Sequence, residues 1–258
     1  MLLSSDTAQA VIDLERGGRL SSLQIEGREI LITEGDGDTE WGCYPMAPWA
    51  GRVRNGEFEW SGSVRRLPIN QPPHALHGTV FGSAWESMGA NSIRCKLGPH
   101  WPWPGEVRSF FELTNTEFLW RLEVHADADS FPVVVGWHPW FRRQIEGVGP
   151  VRMTFQAGEM YARDETGIPT GARAVPTPGP WDDCFTNLTE LPRLSWPNGL
   201  VVELHASCEH WVVYSEPGHA VCIEPQSGPP DAFNLGECEL VSPNQPVCHT
   251  FRMQWRQA

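Results

Sequence analysis

Short runs of alternating apolar and polar residues recur along almost the whole of this sequence. Segments such as AQAVIDLE, SIRCKLG and LVVELHA place an apolar side chain at every second position, the spacing that gives a β-strand one buried face. Turn-forming Gly, Pro, Asn and Asp separate most of these runs. No amphipathic stretch of helical period has a useful length, which excludes βαβ sheets, and neither a GxGxxG nor a P-loop motif occurs. The pattern predicts an all-β fold built as a large antiparallel sandwich.

The length of 258 residues fits one large β domain or two small ones. Because the composition does not shift and no linker is visible, we predict a single domain over residues 1–258. The SGS segment at residues 61–63 predicts a hairpin turn, and Asn115-Thr116 predicts a turn between two long strands. The Pro-rich segment 170–183 is predicted to be a loop within the same domain.

The net charge of −13 and the absence of a basic stripe exclude nucleic acid as a partner, and favour neutral over anionic ligands. No apolar run approaches the roughly 18 residues of a membrane span, and the first residues do not resemble a signal peptide. The seven cysteines are scattered without a CxxC pair, which indicates reduced thiols rather than a zinc site. We therefore expect a cytoplasmic monomer or homodimer with no membrane partner and no metal.

Four segments fit neither a plain strand nor a plain turn. They are APWAGRVRNGEFEW (47–60), QPPHALHGTVFGSAWE (71–86), VVVGWHPWFRR (133–143) and AVCIEPQSGPPDAFN (220–234). In the first, the guanidinium of Arg52 can bond two neighbouring hydroxyls through its rigid fork. In the second, His74 and His77 occupy a Pro-bounded turn, and histidines on a loop held by a rigid scaffold often bind ligands. Both are also candidate metal ligands, although no carboxylate follows nearby in the sequence.

The third and fourth segments each place a titratable side chain on an apolar strand. His138 is predicted to end its strand, because Pro139 cannot donate to the ladder, and Trp140 offers an aromatic face on which a sugar can stack. Glu224 alternates with buried aliphatic residues and precedes Pro225, which is predicted to break the strand. A carboxylate in such a run is costly unless it is hydrogen-bonded or functional.

These segments together supply an acid and a base, the minimum for general acid–base catalysis on a bound ligand. No serine lies in a GxSxG elbow, so acyl transfer lacks its nucleophile. Lys96 is the only lysine and lies in a strand-like run, which disfavours Schiff-base chemistry.

In their order along the chain the segments resemble the aldose 1-epimerase (galactose mutarotase-like) family in its compact bacterial form. The resemblance runs from PWAGRVRNGEF through ALHG, GWHPWFR and WDDCF to IEPQSGPPDAFN. It implies a large antiparallel β-sandwich, a supersandwich, with a sugar bound on an open concave face. It also implies an isomerase that interconverts the α and β anomers of a free aldose without a cofactor or a metal.

The resemblance implies a role for each of the two titratable residues. Glu224 matches the general base, which takes the proton from the C1 hydroxyl, and His138 matches the general acid, which protonates the ring oxygen. The ring then opens to an aldehyde, rotates about C1–C2 and closes on the other face. For this chemistry we expect an ionised carboxylate beside a protonated imidazole, because opposite charges at short range favour both charged forms.

The resemblance also implies residues that orient the substrate. These positions fall on Arg52, His77 and Asp182, with Asp183 as the adjacent alternative to Asp182 in WDDCF. Trp140, two residues after the histidine, is expected to shape the pocket near C6 of the sugar.

Two other functions compete with a free-aldose epimerase. The first is an epimerase of a hexose 6-phosphate, which needs clustered arginines near C6; the candidates are Arg52, Arg54, Arg142 and Arg143. The second is a carbohydrate-binding protein without turnover. Binding alone needs no matched acid and base, so the presence of both disfavours this second alternative.

Overall fold

The computed structural model describes residues 1–257 and shows an all-β protein. In chain order its strands are β1 (Leu2–Ser4), β2 (Ala8–Asp13), β3 (Arg19–Ile25), β4 (Arg28–Glu29), β5 (Cys43–Met46), β6 (Arg52–Val53), β7 (Glu57–Trp60), β8 (Ser63–Arg66), β9 (Ala75–Leu76), β10 (Glu86–Gly89), β11 (Ser92–Lys96), β12 (Gly105–Leu113), β13 (Glu117–Ala126), β14 (Phe131–Val133), β15 (Gly136–Arg142), β16 (Gln144–Ile145), β17 (Gly149–Pro150), β18 (Arg152–Arg163), β19 (Pro169–Ala174), β20 (Asp182–Ser195), β21 (Leu200–Ala206), β22 (His210–Tyr214), β23 (Ala220–Gln226), β24 (Glu239–Val241) and β25 (Val247–Gln257). The helical segments are the 3-10 turns Arg54–Gly56 and Val80–Gly82 and the helix α1 (Ala232–Leu235). Within residues 1–257 no helix is long and apolar enough to cross a bilayer.

One sheet of 17 strands forms the body of the protein, and four two-stranded ladders complete it. One large cluster of buried apolar side chains draws members from β2 near the start of the chain to β25 at its end. A sheet that encloses such a core folds back on itself as a sandwich. The prediction of an all-β antiparallel sandwich is confirmed, as are the hairpins β7–β8 and β12–β13.

Five neighbouring strands, in the order β5, β15, β23, β22 and β20, form the floor on which the candidate site lies. Their registers align side chains in rows, since residues directly opposite each other in an antiparallel pair face the same side. Tyr44 lies opposite His138, and Val212 lies opposite both Glu224 and Cys184. These residues form one continuous row across the sheet.

The ladder between β15 and β23 is paired at both ends and open in its middle. The paired positions are Gly136 with Gln226, Trp140 with Cys222, Phe141 with Val221 and Arg142 with Ala220. This register is the same on both sides of the gap, so it places His138 directly opposite Glu224. Their proximity is therefore a consequence of strand pairing.

Two prolines that were expected to end strands lie inside them. Pro139 lies opposite Cys43 within β15, and Pro225 lies opposite Trp211 within β23. The N–H of Trp140 donates to the backbone oxygen of Gly42, the residue just before β5, at 2.8 Å, and successive amides of a strand point to opposite neighbours. The missing donor of Pro139 therefore faces β23, in the open section of the ladder, where no bond is lost. The prediction that the strand stops at His138 is wrong for this reason.

The Pro-rich segment 170–183 is less irregular than predicted. Its first part belongs to β19, which pairs only with β18, and its last two residues begin β20. An edge strand tolerates Pro and Gly because one side of its backbone faces solvent. Only residues 175–181 form the expected loop.

Candidate active site

A cavity of about 370 Å³ opens above the five floor strands, a size typical of small-molecule sites. The six residues that the sequence singled out for the site all line it, namely Arg52, His77, His138, Trp140, Asp182 and Glu224. They come from four different strands and one turn. The fold thus brings the predicted residues together around one space.

His138 and Glu224 form a buried contact at the bottom of this cavity. Nε2 of His138 lies 3.2 Å from Oε1 of Glu224, and the residues are only 5% and 2% exposed. The side-chain amide of Gln226 donates to the other carboxylate oxygen at 3.2 Å. Both carboxylate oxygens are therefore held in place, one by an imidazole and one by an amide.

Burial sets the ionisation of this pair. Loss of hydration lowers the pKa of His138 to about 3. The same effect, with the nearby charge of Asp182, raises the pKa of Glu224 well above its ordinary value of 4.5. These pKa shifts oppose the expected ion pair, because burial disfavours the charged form of each group. The favoured state is a carboxylic acid beside a neutral imidazole.

The neutral pair and the ion pair differ only in which residue carries one proton. Moving that proton across the 3.2 Å contact converts one form into the other without a change in net charge, so the two groups titrate as a unit. Such a pair can take a proton from one ligand atom and give one to a neighbouring atom. Two oxygens bonded to the same carbon are close enough together to use both groups.

Aromatic rings fix the orientation of the His138 imidazole. Tyr44 is stacked against it at 4.8 Å between centroids, and Trp140 is nearly parallel to it at 5.4 Å. His77 meets it edge-on at 5.0 Å. With its ring confined on these sides, the imidazole keeps Nε2 directed at the carboxylate.

Trp140 is placed differently from the expected sugar platform. Its ring is also nearly parallel to that of His219, with centroids 6.0 Å apart, and the residue is only 6% exposed. The indole is therefore covered mainly by the imidazoles of His138 and His219, and little of its surface is accessible to a sugar ring.

Arg52 is held by a brace from the last of the four segments. The N–H of Asp231 donates to the backbone oxygen of Arg52 at 2.6 Å, and the Asp231 carboxylate accepts the N–H of Arg54 at 2.9 Å. The guanidinium of Arg52 then reaches Asp182, with NH2 3.3 Å from Oδ2. Asp231 thus positions a cavity residue without lining the cavity itself.

The alternation of β20 separates the two adjacent aspartates. Asp182 lies opposite Tyr214 and lines the cavity. Asp183 points to the other face, where its carboxylate pairs with Nε of Arg163 at 2.9 Å. Of the two residues left open by the sequence, Asp182 is the one that a ligand in this cavity can contact.

The two histidines of the second segment also have different environments. His77 lines the cavity, and its burial lowers its pKa well below 6.5, so it is a neutral hydrogen-bonding group. His74 is absent from the described lining; its Nδ1 accepts the N–H of Asn55 at 3.2 Å. His74 therefore stabilises the loop that carries Arg52.

Gly78 holds the turn that presents His77, and its replacement by alanine is expected to destabilise the protein. Its φ is +81°, and an added Cβ would lie 2.0 Å from the backbone oxygen of Ala47. We expect Gly78→Ala to lower the free energy of unfolding in urea by about 3 kcal/mol or more, from backbone strain and overpacking together.

Gly62→Ala is the matched control, since Gly62 has φ of +72° and nothing within 4 Å of the added Cβ. It should cost only the left-handed strain, about 1–2 kcal/mol. Equal losses for the two variants would show that the close approach at Gly78 contributes nothing.

Three of the lining residues could together hold a metal ion. The donor atoms of His77, His138 and Glu224 all lie within 4.8 Å of one another, and two imidazoles with one carboxylate are a donor set that zinc accepts. Two of these residues, His138 and Glu224, are also the pair between which a proton can move. An ion bound there would compete with acid–base chemistry.

Sequence reasoning missed several lining residues, among them Tyr44, Tyr214 and Gln226. Gln226 was accessible to it, because it follows Glu224 by two positions and so shares its face. The two tyrosines reach the cavity through cross-strand pairing with β15 and with β20 and β23, for which a single sequence carries no local signal.

Comparison with known proteins bears on the family and the fold of this chain. A family model described as Aldose 1-epimerase matches residues 2–254. The chain is similar to the uncharacterized protein YphB of Escherichia coli strain K12, at 26% identity over 249 residues that cover 84% of this chain and 85% of that protein. Its fold is similar to that of a galactose mutarotase-like protein from Clostridium acetobutylicum, with a TM-score of 0.87 at 16% identity and coverage of 100% and 95%. It is also similar to galactose 1-epimerase from Lactobacillus acidophilus NCFM, with a TM-score of 0.77 at 17% identity and coverage of 100% and 94%. The prediction of a galactose mutarotase-like fold is confirmed.

Proposed function

The chain belongs to the aldose 1-epimerase family, and from this premise we propose that it interconverts the α and β anomers of a free aldose. The observation that carries the proposal is the buried pair His138 and Glu224, whose Nε2 and Oε1 atoms lie 3.2 Å apart at the bottom of a sugar-sized cavity. The reaction is an acid–base opening and closing of the pyranose ring.

In the proposed mechanism the sugar places its C1 hydroxyl at Glu224 and its ring oxygen at His138. The ionised carboxylate takes the hydroxyl proton while the imidazolium gives its proton to the ring oxygen, and the bond between C1 and the ring oxygen breaks. Rotation about C1–C2 and the reverse transfers close the ring as the other anomer. No proton is gained or lost over the cycle.

The ionisation of the buried pair favours the ring-opened state. After opening, Glu224 carries a proton and His138 is neutral, which is the form that burial stabilises. The charged form that begins the reaction is the less favourable one, so the pair is stabilised as the aldehyde forms. Forming the charged pair from the neutral pair costs free energy before the reaction, and ring opening returns that cost.

The remaining lining residues orient the ring. Arg52 and Asp182 have partly exposed side chains, at 27% and 22%, and supply donors and acceptors to neighbouring hydroxyls. His77 supplies a neutral imidazole beside the catalytic pair. We assign these three residues to substrate binding, with Trp140 supporting the imidazole of His138 rather than stacking on the sugar.

The charges around the cavity favour a free sugar over a hexose 6-phosphate. Among the described lining residues, Arg52 is the only arginine or lysine, whereas Glu40, Asp182, Glu216 and Glu224 are acidic. Of the other arginines considered for phosphate binding, Arg54 pairs with Asp164 at 2.8 Å and with Asp231. The last two, Arg142 and Arg143, donate to backbone oxygens.

The test is an anomer assay on freshly dissolved sugars. We expect the purified protein to accelerate the polarimetric or NMR-detected interconversion of α-glucose or α-galactose well above the solvent rate, and to have little effect on glucose 6-phosphate. Faster conversion of the phosphate would favour the 6-phosphate alternative. Sugar binding without any acceleration would favour a binding protein.

Removal of metal ions is expected to leave this activity unchanged. Because proton transfer needs only the side chains of the pair, treatment with EDTA should not alter the rate. Added Zn²⁺ should inhibit in competition with the sugar, since His77, His138 and Glu224 offer it three donor atoms. Loss of activity in EDTA that Zn²⁺ restores would contradict a metal-free mechanism.

Single-domain organisation, a cytoplasmic location and a monomeric or homodimeric state remain predictions. All seven cysteines are free thiols, which supports a reducing compartment.

A further inference from the structure

Gln226 is a fully buried residue among those that line the candidate active-site cavity. It follows Glu224 by two positions in β23, so both side chains lie on the same face of the sheet. The residue opposite it on β15 is Gly136, where an added Cβ would lie 3.0 Å from Cγ of Gln226. The side chain of Gln226 therefore fills the space beside a glycine and has little room to turn.

One end of the Gln226 amide holds the proposed base. Its Nε2 donates to Oε2 of Glu224 at 3.2 Å, whereas Oε1 of Glu224 lies 3.2 Å from Nε2 of His138. The ionised carboxylate only accepts hydrogen bonds, so the NH2 end of the amide faces it. An oxygen that accepts this bond is favoured in its unprotonated form. Gln226 therefore directs the arriving proton to Oε1, the oxygen beside His138.

The other end of the amide has no partner. Oε1 of Gln226 is buried and accepts no hydrogen bond from the described residues. His210 lies opposite on β22, but its Nε2 contacts the hydroxyl of Tyr161 at 3.1 Å and its Nδ1 is unpartnered as well. Native proteins rarely leave a buried acceptor without a donor, because its lost hydration is costly. A hydroxyl of a bound sugar can supply the missing donor.

The proposed mechanism determines which hydroxyl this is. The C1 hydroxyl gives its only proton to Glu224, so another hydroxyl must donate to Gln226. C1 has two neighbours in the ring, and one of them, the ring oxygen, lies at His138. Because Gln226 contacts Glu224, its amide adjoins the C1 hydroxyl, whose nearest neighbour is the hydroxyl of C2.

We propose that Gln226 is a catalytic residue with two contacts: its amide N–H fixes the carboxylate of Glu224, and its carbonyl oxygen accepts the hydroxyl of C2. This inference rests on the proposed function, because it places C1 of the sugar at His138 and Glu224. It makes the enzyme selective for aldoses with a free C2 hydroxyl. A 2-deoxy aldose leaves the buried carbonyl without a donor, the condition under which a site discriminates most strongly.

The test of the carbonyl contact compares glucose with 2-deoxyglucose, each rate being divided by the solvent rate for the same sugar. We expect the wild type to prefer glucose by about tenfold or more in kcat/KM. Gln226→Met keeps the length of the side chain without either polar end, and in this variant the preference should fall to about twofold or less. The control sugar is 6-deoxyglucose, which lacks a hydroxyl far from C1, and its ratio to glucose should be the same in both proteins.

The same variant tests the contact with Glu224. On 2-deoxyglucose the carbonyl has no partner in either protein, so the remaining loss reports the amide N–H. We expect kcat on this sugar to fall about tenfold, the effect of one hydrogen bond to a charged group, while its affinity does not fall. Gln24→Met is the matched control, since Gln24 is half-buried on β3 and outside the cavity lining; it should match the wild type.

A preference for glucose over 2-deoxyglucose that is absent from the wild type, or that persists in Gln226→Met, would overturn the carbonyl contact. An unchanged kcat on 2-deoxyglucose would overturn the contact with the base. The wild-type comparison needs no variant, so it decides even if Gln226→Met does not fold. All of these results would leave the epimerase proposal intact.

If no aldose is converted at all, the proposed function fails, and calorimetric binding decides about the carbonyl of Gln226. Glucose bound about tenfold more tightly than 2-deoxyglucose by the wild type, but not by Gln226→Met, would support the contact. Equal affinities of the wild type for the two sugars would overturn it.

Discussion

Glu224→Gln is expected to lower kcat for anomer interconversion by about 10²- to 10⁴-fold, the usual contribution of a general base. Glutamine is nearly the same size as glutamate and keeps the contact with Gln226 available, but its amide cannot accept the proton of the C1 hydroxyl. Sugar binding should change much less than kcat, because Arg52, His77 and Asp182 remain in place.

The same variant should unfold at a higher temperature than the wild type at pH 8. In the folded protein the pKa of Glu224 is raised well above 4.5 by burial, so its unfolded form releases a proton that the folded form retains. The contribution of Glu224 to the stability of the wild type therefore falls as the pH rises from about 4.5 through the raised pKa, and His138 is present in both proteins. Glutamine has no such group, so the advantage of the variant should grow with pH and vanish near pH 4.5.

A second His–Glu contact, on β13, provides the control for these measurements. Nε2 of His125 lies 2.9 Å from Oε2 of Glu123, and neither residue is among those that line the cavity. Glu123→Gln should leave kcat within about twofold of the wild type, as for other substitutions outside a site. If Glu224→Gln retains the kcat of the wild type, Glu224 is not the general base. If the stability of the wild type rises with pH relative to that of Glu224→Gln, the ion pair, and not the neutral pair, is the resting form.

His138→Gln is expected to lower kcat by a similar factor of about 10²–10⁴. Glutamine can place an amide near the position of Nε2 and so keep a hydrogen bond to Glu224, but it cannot release a proton to the ring oxygen. His125→Gln is the matched control and should retain activity. The rate is measured by polarimetry, with thermal unfolding to show that the stacked rings of Tyr44 and Trp140 still support the fold.

The double variant distinguishes a coupled pair from two independent groups. Because one proton is shared across the contact, removing either partner disables the same relay, and losses in such units are far from additive. We expect the double variant to be no more than about tenfold slower than the slower single variant. Losses that multiply would indicate that each residue acts by itself.

The catalytic contact depends on strand register more than on local structure. A slip of β23 by one residue against β15 would turn Glu224 to the opposite face of the sheet and break the contact. The surrounding pairings of β5, β22 and β20 prevent such a slip, because each side chain in the row is matched across the next ladder. The pairing of these five strands is thus required for the contact between His138 and Glu224.

Local patterns in the chain were sufficient for the class of fold, and the sequence singled out six of the residues that line the cavity, although it missed others such as Tyr44 and Tyr214. Period-two alternation specifies strands with one buried face, and it distinguished the face of Glu224 from that of its aliphatic neighbours. The ordered motifs indicated the family and five site residues, and the aromatic neighbourhood of His138 added Trp140. The prolines led to a wrong prediction of strand ends. A proline lacks a backbone N–H, and this interrupts a strand only where the neighbouring strand would accept a hydrogen bond from that N–H. Pro139 lies where the ladder between β15 and β23 is open, so the strand continues through it.

Other properties arise only when distant strands pair. Alternation determines which side of its strand a residue occupies, but not which residue lies opposite, because register is settled by contacts between segments far apart in the chain. Pairing put His138 against Glu224, directed Asp182 rather than Asp183 into the cavity and enclosed Trp140 between two imidazoles. Burial, which exists only in the assembled sheet, then shifts the pKa values of the pair in the directions opposite to the expected charges. Folding likewise engaged Arg142 and Arg143, the candidate phosphate ligands, as donors to the backbone oxygens of Leu31 and Pro217.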